Sequence, residues 1–314
     1  MKTEPKVSVI LTTYFENDGL KKAIDEVIAQ SYRNIEIVVV DDSGERHAEE
    51  VVREYETIEY VAHLSNQGQI AGWNTGMSHT SGELIQFHDD DDYLLEGKIR
   101  KQVELLNQNP QIGSVYCGIV DDSGCELLPP EKNRGKVLEP ILLHELYRCQ
   151  TTTMLTRRRL LEAVFPLKTY PAATDIALQL ELGTKTQFDY LNEPLVHRTF
   201  DPDGVGSSLK NRKTRLQLIN EYSALYDEYP QIRRQVTKRS QRMLGKKYMD
   251  IGRGLLEENV WSPVAITCIA RANYHTPGFR SGYMLRLFTS LFGRFGEKMC
   301  NRVFSHLQPI ISGE

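Results

Sequence analysis

Short apolar runs alternate with amphipathic stretches over the first 120 residues. KVSVILTTY, NIEIVVV, IEYVAH, ELIQFH and IGSVYCGIV read as strands buried on both faces. Between them, GLKKAIDEVIAQSY places Leu20, Ala23, Ile24, Val27 and Ile28 on one helical face, with Asn17 or Asp18 as the expected N-cap. A charged helix runs through Val51, Val52 and Tyr55, NQGQIAGWNTGMSHT forms a loop and helix, and KIRKQVELLNQ a further helix. Buried strands separated by helices of this size predict an α/β fold, a Rossmann-like, mostly parallel sheet flanked by helices.

Beyond residue 130 the pattern loosens. PPEKNRGKVLEP reads as a loop, RRRLLEAVFPL and TDIALQLELG as helices, and DYLNEPLVHRTF as a last strand running into DPDGVGSS. From Leu209 the chain reads as helical, with breaks expected at Pro230, Pro263 and Pro277. Charge divides in the same region. Residues 1–210 hold 21 Lys and Arg against 34 Asp and Glu, whereas residues 211–314 hold 17 against 8. The expected organisation is therefore a domain over 1–208 and a helical, basic region over 209–314.

Other classes are disfavoured. No apolar run reaches the roughly 18–20 residues of a membrane-spanning helix, and MKTEPKVSVILTTY lacks a signal-peptide pattern. Cys117, Cys125, Cys149, Cys268 and Cys300 are scattered, odd in number and without a CxxC pair, which points to a reduced, cytoplasmic setting without a zinc site. No GxGxxG follows the first strand, which argues against a dinucleotide-binding oxidoreductase. Nucleic acid is not expected as a partner.

Parallel sheets bind ligands at the carboxyl ends of their strands. Two acidic clusters fall there: Asp41-Asp42, and the four aspartates of LIQFHDDDDYLLEG. On an extended chain Asp89 and Asp91 project to one side and Asp90 and Asp92 to the other. Two carboxylates together form a partial oxygen shell for Mg²⁺ or Mn²⁺, completed by water and phosphate oxygens. A solvated acidic turn is the ordinary alternative, but the position directly behind a buried strand favours metal.

Taken in order, VSVILTTY, VVVDDSGE, SNQGQIAGWNTG, GELIQFHDDDDYL and ATDIALQLEL resemble the family-2 glycosyltransferases with the GT-A fold, over about residues 5–205. The resemblance implies that residues 1–208 bind a nucleotide sugar and carry catalysis. It implies that Thr12 and Tyr14 hold the nucleobase, Tyr14 by stacking, and that Asp42 accepts a hydrogen bond from the base. Asn66, Gly68 and Asn74 match an NxGxxxxxN segment near ribose and phosphates, and Asp90 is expected near the donor sugar or ribose. In a DxDD motif Asp91 and Asp89 are the implied metal ligands. Asp175 matches the general base of the family's ED motif, with Thr174 in place of Glu. Arg198, in EPLVHRTF, keeps the Arg of a PL-x-YR-x-H strand. Two departures stand out: Trp73 replaces a common Arg, which leaves phosphate to Arg198 or the metal, and Phe200 replaces the His, with His197 or Asp201 as stand-ins. His88 reads as a packing or supporting histidine.

Residues 279–304 set Phe279, Tyr283, Leu287, Phe288, Leu291, Phe292, Phe295, Met299 and Val303 at helical spacing among Arg280, Arg286, Arg294, Lys298 and Arg302. This fits either an amphipathic helix on an anionic membrane surface, peripheral at the inner membrane face, or a helix packed on the catalytic domain. The expected activity is metal-dependent, inverting transfer of a hexosyl group from a nucleotide-diphosphate sugar, by default UDP-linked, to a hydroxyl of a glycan or lipid-linked acceptor. The segment near Cys149 to Thr153 is expected to face that acceptor. The alternatives are a non-catalytic nucleotide-sugar-binding member and a sugar-phosphate nucleotidyltransferase, the latter disfavoured by the lack of an early GxGTR-like loop.

Overall fold

The computed structural model describes residues 4–199, 204–258, 261–276 and 281–301. Phe200, Asp201, Pro277, Phe279, Arg280, Arg302 and Val303, invoked above, lie outside them. The chain separates into two compact units, Met1–Pro202 and Asp203–Glu314.

The first unit opens with β1 (Val7–Thr13), α1 (Asn17–Ile28), β2 (Ile35–Asp41), α2 (Glu49–Val52), β3 (Glu59–Ala62), α3 (Gln69–Ser78) and β4 (Leu84–Asp89). It continues with β5 (Asp92–Leu94), α4 (Lys98–Gln108), β6 (Ile112–Asp121), β7 (Glu126–Leu127), α5 (Leu138–Leu142), β8 (Leu155–Arg157), α6 (Arg158–Glu162), α7 (Thr174–Gly183) and β9 (Gln187–Arg198). Glu16, rather than Asn17 or Asp18, caps α1, its carboxylate accepting from the Gly19 N–H at 3.3 Å.

The strand order is β3-β2-β1-β4-β8-β6-β9-β5, with β7 beside β6. The first four are parallel, as are β6 and β9. The short β8 runs antiparallel between β4 and β6, and β5 and β7 are antiparallel edges. The sheet is thus mixed; β5 and β8 have three residues each, too few for a visible hydrophobic period. Val7, Val9 and Leu11 join Leu20, Ile24, Val27, Ile99, Val103 and Leu106 in the core beneath the sheet. On the opposite face α3 lies close against β1, where a Cβ on Gly76 would meet Ile10 Cγ2 at 2.3 Å.

In pairing order, β4 and β5 are four steps apart, about 19 Å on a flat sheet. Yet only Asp90 and Asp91 separate Asp89 from Asp92 along the chain, a reach of about 11 Å. The sheet must therefore curl, and the acidic turn spans its seam.

The second unit holds α8 (Leu209–Glu221), α9 (Ser223–Asp227), α10 (Pro230–Glu258), α11 (Pro263–His275) and α12 (Ser281–Ser290), and residues 293–301 are helical. Pro230 and Pro263 open helices here instead of merely breaking them; a first-turn proline lacks only an N–H that would go unused. Leu244, Tyr248, Leu256, Ile269 and Ala272 form the core, with Tyr283 and Leu287 of α12 packed on it. Phe288, Leu291, Phe292, Phe295 and Met299 remain exposed. No helix among the described residues is long and apolar enough to cross a membrane.

Candidate active site

The carboxyl ends of β1, β2 and β4 meet on one rim, since Thr12 pairs with Asp89 and Thr13 with Asp41. Asp89 closes β4, Asp90 and Asp91 make a turn, and Asp92 opens β5. The turn overrides the alternation expected of an extended chain. Asp89, Asp91 and Asp92 each present an oxygen within 4.8 Å of the others, whereas Asp90 Oδ2 accepts from the Tyr14 N–H at 3.4 Å.

This crowding has an electrostatic signature. Burial, then Asp92 and Asp91, hold Asp89 well above the usual carboxylate range. Burial pushes Asp92 up to about 6, with Arg198 opposing and Asp91 adding to the rise. Asp90 is likewise raised to about 6 by burial, with Asp91 adding to the rise and the Tyr14 N–H opposing it. A hard divalent cation would remove that repulsion, and three convergent carboxylates match its preference for oxygen. The donor set fits Mg²⁺ or Mn²⁺.

Arg198 stands beside this cluster, its Nε 3.6 Å from Asp92 Oδ1 and its Nη1 donating to Gln150 Oε1. His197, its neighbour, turns to Asp122 at 3.6 Å and to the Tyr93 ring. His88 is fully buried with neither ring nitrogen hydrogen-bonded, and burial takes it down to about 3, so it packs as a neutral ring.

On the other side of the rim, both oxygens of Asp42 bind the turn before α3. Gln67 N–H donates to Oδ1 at 2.8 Å and Gly68 N–H to Oδ2 at 2.7 Å, while His63 Nδ1 lies 2.7 Å from Oδ1. Gly68 has φ +88°, a conformation that favours glycine. Asp41 serves the local backbone: burial opposes its ionisation, but Ala48 N–H, Ser43 and Tyr60 hold it below its ordinary value. Asn66 is exposed, Thr12 half-buried, and Tyr14 54% exposed, with the Phe15 ring edge-on to it at 4.8 Å. Asn74 is committed elsewhere, since its amide exchanges two hydrogen bonds with the Leu167 backbone, at 3.0 and 2.9 Å. Trp73 is buried and stacks on Phe87, which stacks on Phe165, so this position supplies packing where the resemblance expects a cation.

Asp175 lies in the first turn of α7, directly after Ala173 and Thr174. Its Oδ1 accepts from the Ile176 N–H at 2.9 Å, leaving Oδ2 for other use. Gln69 connects this helix start to the acidic rim: its Nε2 donates to Asp89 Oδ1 at 2.7 Å, and its Oε1 accepts from the Thr174 hydroxyl at 2.7 Å. The 149–153 segment is braced from below. Buried Lys98 donates to Gln86 and Gln102, whose amides donate to the carbonyls of Thr152 at 2.9 Å and Thr153 at 2.8 Å.

Asp92, Gln69 and Gln150 were not singled out from the sequence. Asp92 had a visible signal, membership of the aspartate run, but assignment to the ligand side depends on a turn that periodicity does not report. Gln69 and Gln150 carry no charge or motif, and only the fold brings them to the rim.

The comparisons agree with this architecture. A mannosyltransferase from Pyrobaculum calidifontis, solved with GDP-Man and Mn²⁺, superposes with a TM-score of 0.59 at 15% identity, covering 96% of this chain and 88% of that one. Staphylococcus aureus TarS, residues 1–349, solved with UDP-GlcNAc, gives 0.56 at 15% identity, covering 96% and 92%. These likenesses establish the GT-A fold. An uncharacterised glycosyltransferase from Nostoc is 28% identical over 174 residues, 52% of this chain and 54% of its own length. One from Rickettsia typhi is 31% identical over 152 residues, 45% of this chain and 48% of its own length. The match thus spans about half the length of these relatives. Residues 8–165, just over half of the chain, match the Glycosyl transferase family 2 profile, and the chain belongs to that family.

Proposed function

We propose that this chain is an inverting glycosyltransferase that moves a hexosyl group from a nucleotide-diphosphate sugar, UDP-linked by default, to a hydroxyl of a glycan or lipid-linked acceptor. The observation that carries the reading is the convergence of Asp89, Asp91 and Asp92 at the strand ends, flanked by Arg198 and tied through Gln69 to the helix that bears Asp175. A Mg²⁺ or Mn²⁺ ion held by these carboxylates would offset the negative charge that develops on the departing diphosphate.

The chain's own groups account for the remaining steps. Tyr14 offers its exposed face to the nucleobase beside Thr12. Asp42 shapes the turn that carries Asn66 and Gly68 along the ribose and phosphates, and Asp90 secures the end of β1 next to the sugar. Asn74 contributes by clamping Leu167. The Arg198 guanidinium donates to a phosphate oxygen. Asp175 Oδ2 takes the proton of the acceptor hydroxyl while its oxygen attacks the anomeric carbon from the face opposite the leaving group. The division of labour follows residues 1–208 for the reaction and 209–314 for location. The exposed Phe288, Leu291, Phe292 and Phe295 support contact with the inner membrane face, where a lipid-linked acceptor resides.

The test is titration calorimetry of the protein with UDP- and GDP-sugars, with and without Mn²⁺, followed by a transfer assay. Manganese-assisted uptake of one donor and turnover with an acceptor are expected. Uptake without any transfer or donor hydrolysis would favour the non-catalytic alternative.

A further inference from the structure

The Gln69 side chain has one arrangement compatible with its partners. With Asp89 ionised, as a metal ligand must be, its carboxylate only accepts, so the amide nitrogen faces Asp89; the carbonyl then faces the Thr174 hydroxyl, which donates to it. Its Cα is equally constrained. Gln69 is the first residue of α3, preceded by Gly68, whose N–H is tied to Asp42. The helix is seated on β1, with Gly72 against Thr12 and Gly76 against Ile10. One end of the bridge is therefore rigid.

The other end is not self-supporting. Ala173, immediately before α7, sits at φ +55°, a left-handed conformation that a residue with a Cβ adopts at a cost. No side chain caps the helix. Surrounding contacts must hold the start of α7, and the Thr174 hydroxyl provides one. Thr174 stands where the resemblance has glutamate, and its hydroxyl is linked to Asp89 through the Gln69 amide.

Resting on the function proposed above, we infer that Gln69 and Thr174 form a positioning pair that sets the acidic rim and Asp175 in register. Gln69 occupies Oδ1 of Asp89, which leaves Oδ2 to a cation that these carboxylates would hold, and the same amide fixes the residue next to the base. Neither residue touches the reacting atoms. Each acts through a neighbour, Gln69 through Asp89 and Thr174 through Asp175, and loss of such outer partners typically costs on the order of 10–100-fold in metal affinity or turnover.

The experiment compares Gln69→Ala, Thr174→Val, Thr174→Ser and the double variant Gln69→Ala/Thr174→Val in the full chain. Mn²⁺ alone is titrated calorimetrically, kcat and donor KM are measured, and melting is followed without metal. Gln69→Ala is expected to weaken Mn²⁺ binding about tenfold and to lower kcat by a similar factor. Thr174→Val lowers kcat about tenfold with Mn²⁺ affinity and donor KM within about twofold of the starting protein, and Thr174→Ser restores kcat. The double variant is expected to lose less than the product of the two kcat effects, as coupled neighbours do. The pairing is overturned if Mn²⁺ affinity and kcat are unchanged in both single variants, whatever their melting points, or if their kcat effects simply multiply. Failure of the broader functional reading has a different signature: the unsubstituted protein itself would show no manganese-assisted donor uptake.

Discussion

The N–H of Gly68 donates to Asp42 Oδ2 at 2.7 Å, joining the turn before α3 to the end of β2. With Gln67 on the other oxygen, one carboxylate sets the path of the whole loop. Replacing Asp42 by Asn keeps the shape but turns one acceptor into a donor facing an N–H. Donor affinity is expected to fall at least tenfold, with a stability loss of about 2 kcal/mol, the usual scale for a buried charge-assisted hydrogen bond. Calorimetry and urea unfolding check the two effects separately.

Asp175→Asn removes a proton acceptor and leaves the acidic rim intact. Donor and Mn²⁺ binding should persist while turnover falls by a factor on the order of 10²–10⁴. Normal turnover in this variant would contradict the assignment of Asp175 as base.

Asp91→Asn has the opposite profile. It replaces one of three converging carboxylates by a neutral amide, so Mn²⁺-dependent donor binding should be lost while metal-independent stability rises slightly as repulsion eases. Thermal shift with and without MnCl₂ reads both.

The rim also predicts a pH dependence. Asp90 and Asp92 titrate near 6 in the folded chain, above the unfolded value near 3.8. A raised carboxyl disfavours folding once the unfolded form ionises, so its destabilising contribution is absent below about pH 3.8 and grows as pH rises to about 6. Mn²⁺ should therefore raise the melting temperature more at pH 7.5 than at pH 5. Glu36 acts in the other direction. Burial opposes its ionisation, yet Ser8 at 2.6 Å, Ser81 N–H at 2.6 Å, Lys6 at 3.0 Å and Gly82 N–H at 2.8 Å bring it down to about 2. Its contribution is present above about pH 4.5 and lost toward pH 2, and Glu36→Gln should flatten that part of the acid-unfolding curve.

Co-sedimentation with liposomes tests the second unit. Phe288→Ser/Phe292→Ser should abolish pelleting if this face meets a bilayer. Arg286 and Arg253 share the one buried carboxylate of Glu297, and Arg294 donates to the neutral Glu258 carbonyl, so the excess of positive charge remains and added salt should weaken binding to anionic liposomes.

Strands β1, β2 and β4 are legible because each runs six or seven residues and is mostly buried, so its apolar run stands clear of the flanking turns, whereas the four-residue β3 has no fully buried position. The aspartate run points to Asp89 and Asp91, whose oxygens the fold brings together, while the roles of Asp42 and Asp175 rest on their motifs and are proposals. Asn74 illustrates the limit: its motif suggests ribose and phosphates, whereas the fold joins it to Leu167, more than ninety residues away. The α1 cap at Glu16 and the short β5 and β8 leave no readable signal, because propensity and period carry little information over three residues.

The curl of the sheet gives the acidic turn a mechanical meaning. The edge strand β5 is brought back to the interior strand β4 where Asp89 passes to Asp92, and like charges there push the two strands apart. A cation taken up at this join would act as a clasp, so amide hydrogens of β5 and β9, far from the nucleotide in the pairing order, should exchange more slowly once manganese is present.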